Sequence, residues 1–170
     1  KNVMAMSLKK APRVFVALDF PGVKETLGFV DLLSKDECGL KIGKELFTRE
    51  GPDLVRALVK RQFPVFLDLK FHDIPNTVAK AGIAAARSGV FMFNVHASGG
   101  LDMMQKCRDE VVNVCLTENI AKPRIIAVTV LTSTHGLSGP QADGHIHRRL
   151  SFRGDSDRRC LLAMLRTECK

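Results

Sequence analysis

Between residues 13 and 132 short apolar runs alternate with amphipathic helical stretches at roughly 28-residue intervals, the pattern of parallel β-α units. This alternation restricts the fold more than any other feature, because parallel strands need a crossover long enough to hold a helix. The strands expected are 13–19, 39–43, 65–70, 91–96 and 124–132. The helices expected between them are 23–33, about 52–61, 76–87 and 101–116. Leu54, Val55, Leu58 and Val59 make one apolar stripe, and the alanines of 76–87 allow close packing.

Polar residues recur at the carboxyl ends of these strands: Asp19, Lys41, Asp68 with Lys70, Asn94 with His96, and Thr132. In an α/β barrel that end carries the active site. A doubly wound open sheet also places its sites there, but it usually announces a glycine-rich phosphate loop after the first strand. Asp19-Phe20-Pro21-Gly22 is not such a loop. The fold class expected is therefore α/β, of the TIM (β/α)8-barrel family, with about five β-α units present.

The densest chemistry lies in Asp68-Leu69-Lys70-Phe71-His72-Asp73-Ile74-Pro75-Asn76-Thr77, at the exit of the apolar run Phe63 to Leu67. Side chains alternate along a strand, so Asp68 and Lys70 share a face. Asp73 has the opposite parity and precedes a proline by two residues, which places it on a loop. A surface salt bridge is the plain reading of such a strand end. Chemistry on a charged substrate is the other.

Bulk properties narrow the field. With 170 residues and 45% hydrophobic content, the chain can bury one real core. No apolar run reaches the roughly 18 residues of a membrane helix. The start carries positive charge without the apolar stretch of a signal peptide. Cys38, Cys107, Cys115, Cys160 and Cys169 form no CxxC pair and no metal-ligand spacing, and read as reduced thiols of an intracellular, cytoplasmic protein. The net charge of +8 suits an anionic, phosphate-bearing ligand. Nucleic acid is not expected, because there is no Trp or Tyr to stack bases and no basic stripe interleaved with aromatics.

After Thr134 the pattern stops. Residues 135–170 hold six arginines and one lysine, against seven and twelve in residues 1–134, and three of the five histidines (His135, His145, His147). Only Cys160 to Leu165 shows a short helical stripe. Two regions are expected: 1–134, the N-terminal part of a barrel, and 135–170, a divergent basic tail of frameshifted or disordered character. Translation of the underlying nucleic acid in its other frames tests the frameshift.

These motifs resemble the orotidine 5′-phosphate decarboxylase family, from about Arg13 to Ser133. The resemblance is carried by Asp68 to Thr77, Val95-His96-Ala97-Ser98-Gly99-Gly100, Leu40-Lys41-Ile42-Gly43-Lys44-Glu45 and Ala127-Val128-Thr129-Val130-Leu131-Thr132-Ser133. It implies an eight-stranded α/β barrel, usually a homodimer, that forms UMP in de novo pyrimidine biosynthesis without metal or organic cofactor. By the same resemblance, Asp19 and Lys41 contact the ribose hydroxyls, and Asp68 faces the substrate carboxylate. Lys70 donates the proton, and Asp73 and Thr77 reach the partner subunit's active site. Thr132 and Ser133 approach the pyrimidine. His96 matches a family position near the rim, where a packed structural histidine is the alternative.

The implied chemistry follows. Loss of CO₂ from C6 of the pyrimidine leaves an in-plane carbanion with no carbonyl sink, and a fixed ammonium stabilises charge where it develops. Lys70 can then protonate that carbon. The resemblance also implies a phosphate grip, a glutamine loop and a Gly-Arg pair, which is not recognisable after Ser133; Arg148, Arg153 and Arg158 are not assigned to it. Remote phosphate contacts lower the barrier as well as aid binding. Five strands of eight also leave unpaired edges. The chain alone is accordingly expected to be poorly stable and inactive or nearly so. The competing readings are a Mg²⁺-dependent sugar-phosphate decarboxylase or aldolase of the same superfamily, which lacks the Ile74 to Thr77 continuation, and a non-catalytic truncated isoform that only dimerises. A Schiff-base aldolase is disfavoured because flanking carboxylates oppose a free amine.

Overall fold

The computed structural model describes residues 11–129. Thr132, Ser133, the boundary expected at 134 and the segment 135–170 lie outside the described residues.

The elements alternate as the sequence pattern requires. They are β1 (Phe15–Ala17), α1 (Val23–Val30), β2 (Gly39–Gly43), α2 (Lys44–Lys60) and β3 (Val65–Phe71). There follow α3 (Pro75–Arg87), β4 (Met92–His96), a 3-10 turn (Ala97–Gly99), α4 (Leu101–Thr117) and β5 (Arg124–Val128). The strands lie in one sheet in chain order, β1-β2-β3-β4-β5. An order without reversal is that of a singly wound barrel wall, whereas a doubly wound sheet reverses at its switch point.

Two compact units divide the chain between Phe66 and Leu67, inside β3. In the first, β1 runs parallel to β2 with Phe15, Val16 and Ala17 opposite Gly39, Leu40 and Lys41. Gly39 is required at this point: a Cβ there would stand 2.8 Å from the Pro64 carbonyl oxygen and 2.6 Å from the Phe15 ring. Leu18, Val30, Leu40, Ile42, Leu54, Val55 and Leu58 form the core of this unit, each worth roughly 1.5–3 kcal/mol on burial.

Helix α1 ends three residues before the expected position. Leu32 N–H and Leu33 N–H bond to carbonyls three residues back, Phe29 and Val30, so the last turn is tightened rather than α-helical. Helix α2 corrects the sequence reading more substantially, because it begins at Lys44 and not near Pro52. It is two segments joined at Gly51, whose φ of 67° and ψ of −165° are not helical, and Pro52 opens the second segment. The Glu50-Gly51-Pro52 run resembles a loop locally, but buried Leu46 anchors the first segment across it.

In the second unit β4 runs parallel to β5, with Met92 opposite Arg124 and His96 opposite Val128. Strand β5 is described over Arg124–Val128, and the expected continuation through 130–132 lies outside the described residues. Helix α3 turns its small residues Ala79, Gly82, Ala85 and Ala86 inward, and α4 meets it with Met103, Cys107, Val111 and Cys115 at every fourth position. A Cβ on Gly82 would lie 2.8 Å from Cys107 Sγ, 3.0 Å from Val111 and 3.1 Å from the Phe93 ring. Close packing of this kind accounts for the alanine-rich pattern. Arg87, at the end of α3, holds Glu118, which follows α4, through Nε and Nη2 at 2.6 to 3.2 Å.

Candidate active site

Strand β3 is buried over its first three residues and half-buried from Asp68 onward, so its polar end emerges from the core next to solvent. Lys70 Nζ donates to Asp68 Oδ1 at 2.6 Å, with side chains 24% and 14% exposed. The parity expectation is met in outcome, since both groups share a side of the strand. The backbone that achieves it is not a plain strand: Lys70 has φ of 52°, in the left-handed region. That conformation costs an L-residue roughly 1–2 kcal/mol, and such outliers concentrate at functional sites.

Asn94, in β4, completes the cluster and was noted from the sequence only as one polar residue among several at strand ends. Its Nδ2 donates to Asp68 Oδ1 at 2.6 Å, and its Oδ1 accepts the Lys70 backbone N–H at 2.7 Å. The amide orientation follows from chemistry, because only oxygen can accept from an N–H and only nitrogen can donate to the carboxylate. The available signal was a single amide in the apolar run Phe91 to Val95, between buried Phe93 and Val95.

His96, at the end of β4, caps the 3-10 turn by accepting the Ser98 N–H at 3.3 Å on Nδ1, with Ser98 Oγ at 2.6 Å from the same nitrogen. Its ring stacks on His72 at 5.2 Å and 19°. Gly99 allows the approach, since a Cβ there would be 3.2 Å from His72 and would collide with Met103. His72 had no role in the sequence reading. Asp73 sits on the connection between β3 and α3, as its parity predicted, and its Oδ1 accepts the Ile74 N–H at 2.7 Å. Asp73 and Thr77 are exposed, and Ile74 is 66% exposed.

In the first unit, Leu18 N–H bonds to the Lys41 carbonyl at 2.9 Å, which brings Asp19 just past the paired end of β1. Asp19 is exposed and Lys41 half-buried. Their side chains converge at Gly43, where a Cβ would be 3.9 Å from Lys41 Nζ and 4.0 Å from Asp19 Oδ1. Thr132 and Ser133 are outside the described residues. No group of three or more His, Cys, Asp or Glu residues among the described residues is placed to hold a metal ion.

The model of the orotidine 5′-phosphate decarboxylase / HUMPS family matches residues 12–147. The chain belongs to this family. A protein named orotidine 5′-phosphate decarboxylase from Pseudoalteromonas atlantica is 58% identical over 122 residues, 72% of this chain and 51% of the relative. One of the same name from Nitrosococcus oceani is 52% identical over 121 residues, 71% of this chain and 50% of the relative. The chain thus spans about half the length of the curated relatives it matches. Among solved structures, an uncharacterized conserved protein from Geobacillus kaustophilus superposes with a TM-score of 0.70 at 38% identity, covering 78% of this chain and 66% of that one. An orotidine 5′-phosphate decarboxylase from Lactobacillus acidophilus superposes with a TM-score of 0.67 at 31% identity, covering 91% of this chain and 65% of that one. The parallel α/β sheet of the described residues is the architecture of the Lactobacillus acidophilus decarboxylase structure.

Proposed function

We propose that this chain carries the lysine-bearing half of an orotidine 5′-phosphate decarboxylase, which releases CO₂ from its substrate to form UMP in pyrimidine biosynthesis. The observation that carries the reading is the Asp68–Lys70 pair, an ammonium held at 2.6 Å from a carboxylate at the exit of β3. The names of relatives above 50% identity agree with it.

In this reading the C6–carboxylate bond breaks heterolytically, CO₂ departs, and the electron pair stays on C6. The Lys70 ammonium faces that carbon, stabilises the developing charge without reorganising, and transfers one proton to it. Solvent then restores the proton to Nζ. Asp68 fixes the ammonium and stands near the substrate carboxylate. Asp19 and Lys41, convergent at Gly43 in their own unit, are assigned to the ribose hydroxyls, and Thr132 and Ser133 to the pyrimidine. A homodimer is part of the proposal: exposed Asp73 and Thr77, with exposed Ile74 between them, are offered to the partner subunit's site. So is a cytoplasmic location, for which the free, buried thiols Cys38, Cys107 and Cys115 speak. Residues beyond 147, where the family match ends, are proposed not to continue the family sequence.

The test is spectrophotometric loss of orotidine 5′-phosphate, run on this chain and on the chain extended to the length of its relatives. Lys70→Ala is expected to reduce turnover by at least a hundredfold to about a thousandfold, the scale of losing one preorganised electrostatic group, while circular dichroism stays unchanged. Turnover within a few-fold of the parent in that variant would refute the role of Lys70.

A further inference from the structure

Among the described residues only Thr26 and Asn94 are polar and fully buried, at 0% and 1% exposure. Thr26 satisfies its hydroxyl within its own helix turn, on the Gly22 carbonyl at 2.7 Å. Asn94 does something different, because both ends of its amide reach across to β3. It takes the Lys70 N–H at 2.7 Å and gives an N–H to Asp68 at 2.6 Å. With the Lys70 ammonium on the same Asp68 oxygen at 2.6 Å, the three residues close a ring of hydrogen bonds.

The ring has a mechanical consequence. In a regular parallel ladder the Lys70 N–H would bond to a neighbouring strand's carbonyl, with the residue extended. Here a side chain takes that N–H, and the residue carrying it is left-handed, with φ of 52°. Lysine does not adopt this conformation without support. The same amide pins the carboxylate that the ammonium meets, and as a neutral donor it leaves the charge of Asp68 for Lys70. An aspartate in its place would set two carboxylates together. A leucine would leave the Lys70 N–H buried without its acceptor.

We propose that Asn94 is a positioning residue for Lys70: its buried amide locks the left-handed backbone of Lys70 and the rotamer of Asp68, and so aims the ammonium. The proposal rests on the reading of Lys70 as proton donor for its functional meaning, but the positioning itself can be measured without turnover.

Asn94→Ala and Asn94→Asp in the full chain test it. Acetylation of Lys70 by acetic anhydride is followed by peptide mass spectrometry against Lys80, an exposed lysine of α3, as internal reference. In folded Asn94→Ala, the Lys70 rate relative to Lys80 is expected to rise about tenfold, the factor a hydrogen bond to a charged group is worth. In the chain extended to the length of its relatives, kcat is expected to fall while KM changes little, because substrate contacts are left in place. Asn94→Asp preserves volume and the acceptor for the Lys70 N–H, and is read by the same labelling if the alanine variant does not fold. In that variant Lys70 labelling is expected to fall, because a second carboxylate beside the ammonium opposes the free amine that acetylation needs. Unchanged Lys70 labelling in either folded variant overturns the proposal, as does a rise in KM with kcat unchanged. Labelling that responds while the unsubstituted chain extended to the length of its relatives shows no decarboxylation supports the positioning and removes the decarboxylase reading, so the two failures are distinct.

Discussion

Replacing Lys70 by glycine and by alanine isolates the backbone strain at the site. Both substitutions remove the ammonium, its bond to Asp68 and the long side chain, so these losses cancel in the comparison. What differs is the φ of 52°. Alanine retains a left-handed penalty of roughly 1–2 kcal/mol, which glycine does not bear. Against this, glycine gives the unfolded chain more freedom, a disadvantage of about 0.4–1 kcal/mol relative to alanine. The difference leaves Lys70→Gly more stable than Lys70→Ala by about 1 kcal/mol, the reverse of the order at an ordinary strand position. With a urea slope of about 2 kcal/mol per molar, the glycine midpoint lies about 0.5 M higher. Equilibrium urea unfolding followed by circular dichroism measures it. Gln62, with φ of 67° and no part in the site, serves as a control in which glycine should again exceed alanine. If Lys70→Ala equals or exceeds Lys70→Gly while the Gln62 pair shows the inversion, Lys70 is not held left-handed and the strain argument fails.

Three further expectations concern the second unit. Gly82→Ala should destabilise despite alanine's helix propensity, because the roughly 1–3 kcal/mol of overpacking outweighs a gain of up to about 1 kcal/mol; a raised melting temperature would contradict the packing described. Burial pushes the Cys107 thiol up from 9.0 to about 11, so its stabilising contribution is complete below pH 9 and is lost as pH rises through 11. With Cys160 and Cys169 replaced by serine, Cys107 should react with a disulfide reagent at pH 8 only after unfolding in urea, and prompt reaction in the folded chain would count against its burial. Hydrogen bonding and charge from Arg87 hold the Glu118 carboxyl below its usual 4.5, so that pair favours the folded chain above this pH and ceases to as pH falls through the lowered value. Arg87→Ala should therefore flatten the acid limb of the stability profile, and an unchanged limb would show the pair to be inert.

Legibility from sequence tracks how local the cause is. Strand β2 and most of β3, α3 and α4 were readable because an apolar run or an apolar stripe, each set within a few residues, decides them. The first segment of α2 was not, since Gly51-Pro52 breaks the local signal and only the burial of Leu46 recovers a helix before it. The site divides in the same way. Alternation put Asp68 and Lys70 on one side, and opposite parity with a nearby proline sent Asp73 to the loop. The left-handed turn at Lys70 is invisible to alternation, since it depends on an acceptor 24 residues away. Asn94 reaches that position only because β4 lies at the proper register, and register is set by the packing of whole units rather than by any short motif. A strand-end motif therefore names the reactive pair, while the residue that aims it has to be found in the neighbouring strand. The place to look is where an apolar run contains one amide whose donor and acceptor are both consumed by the motif next door.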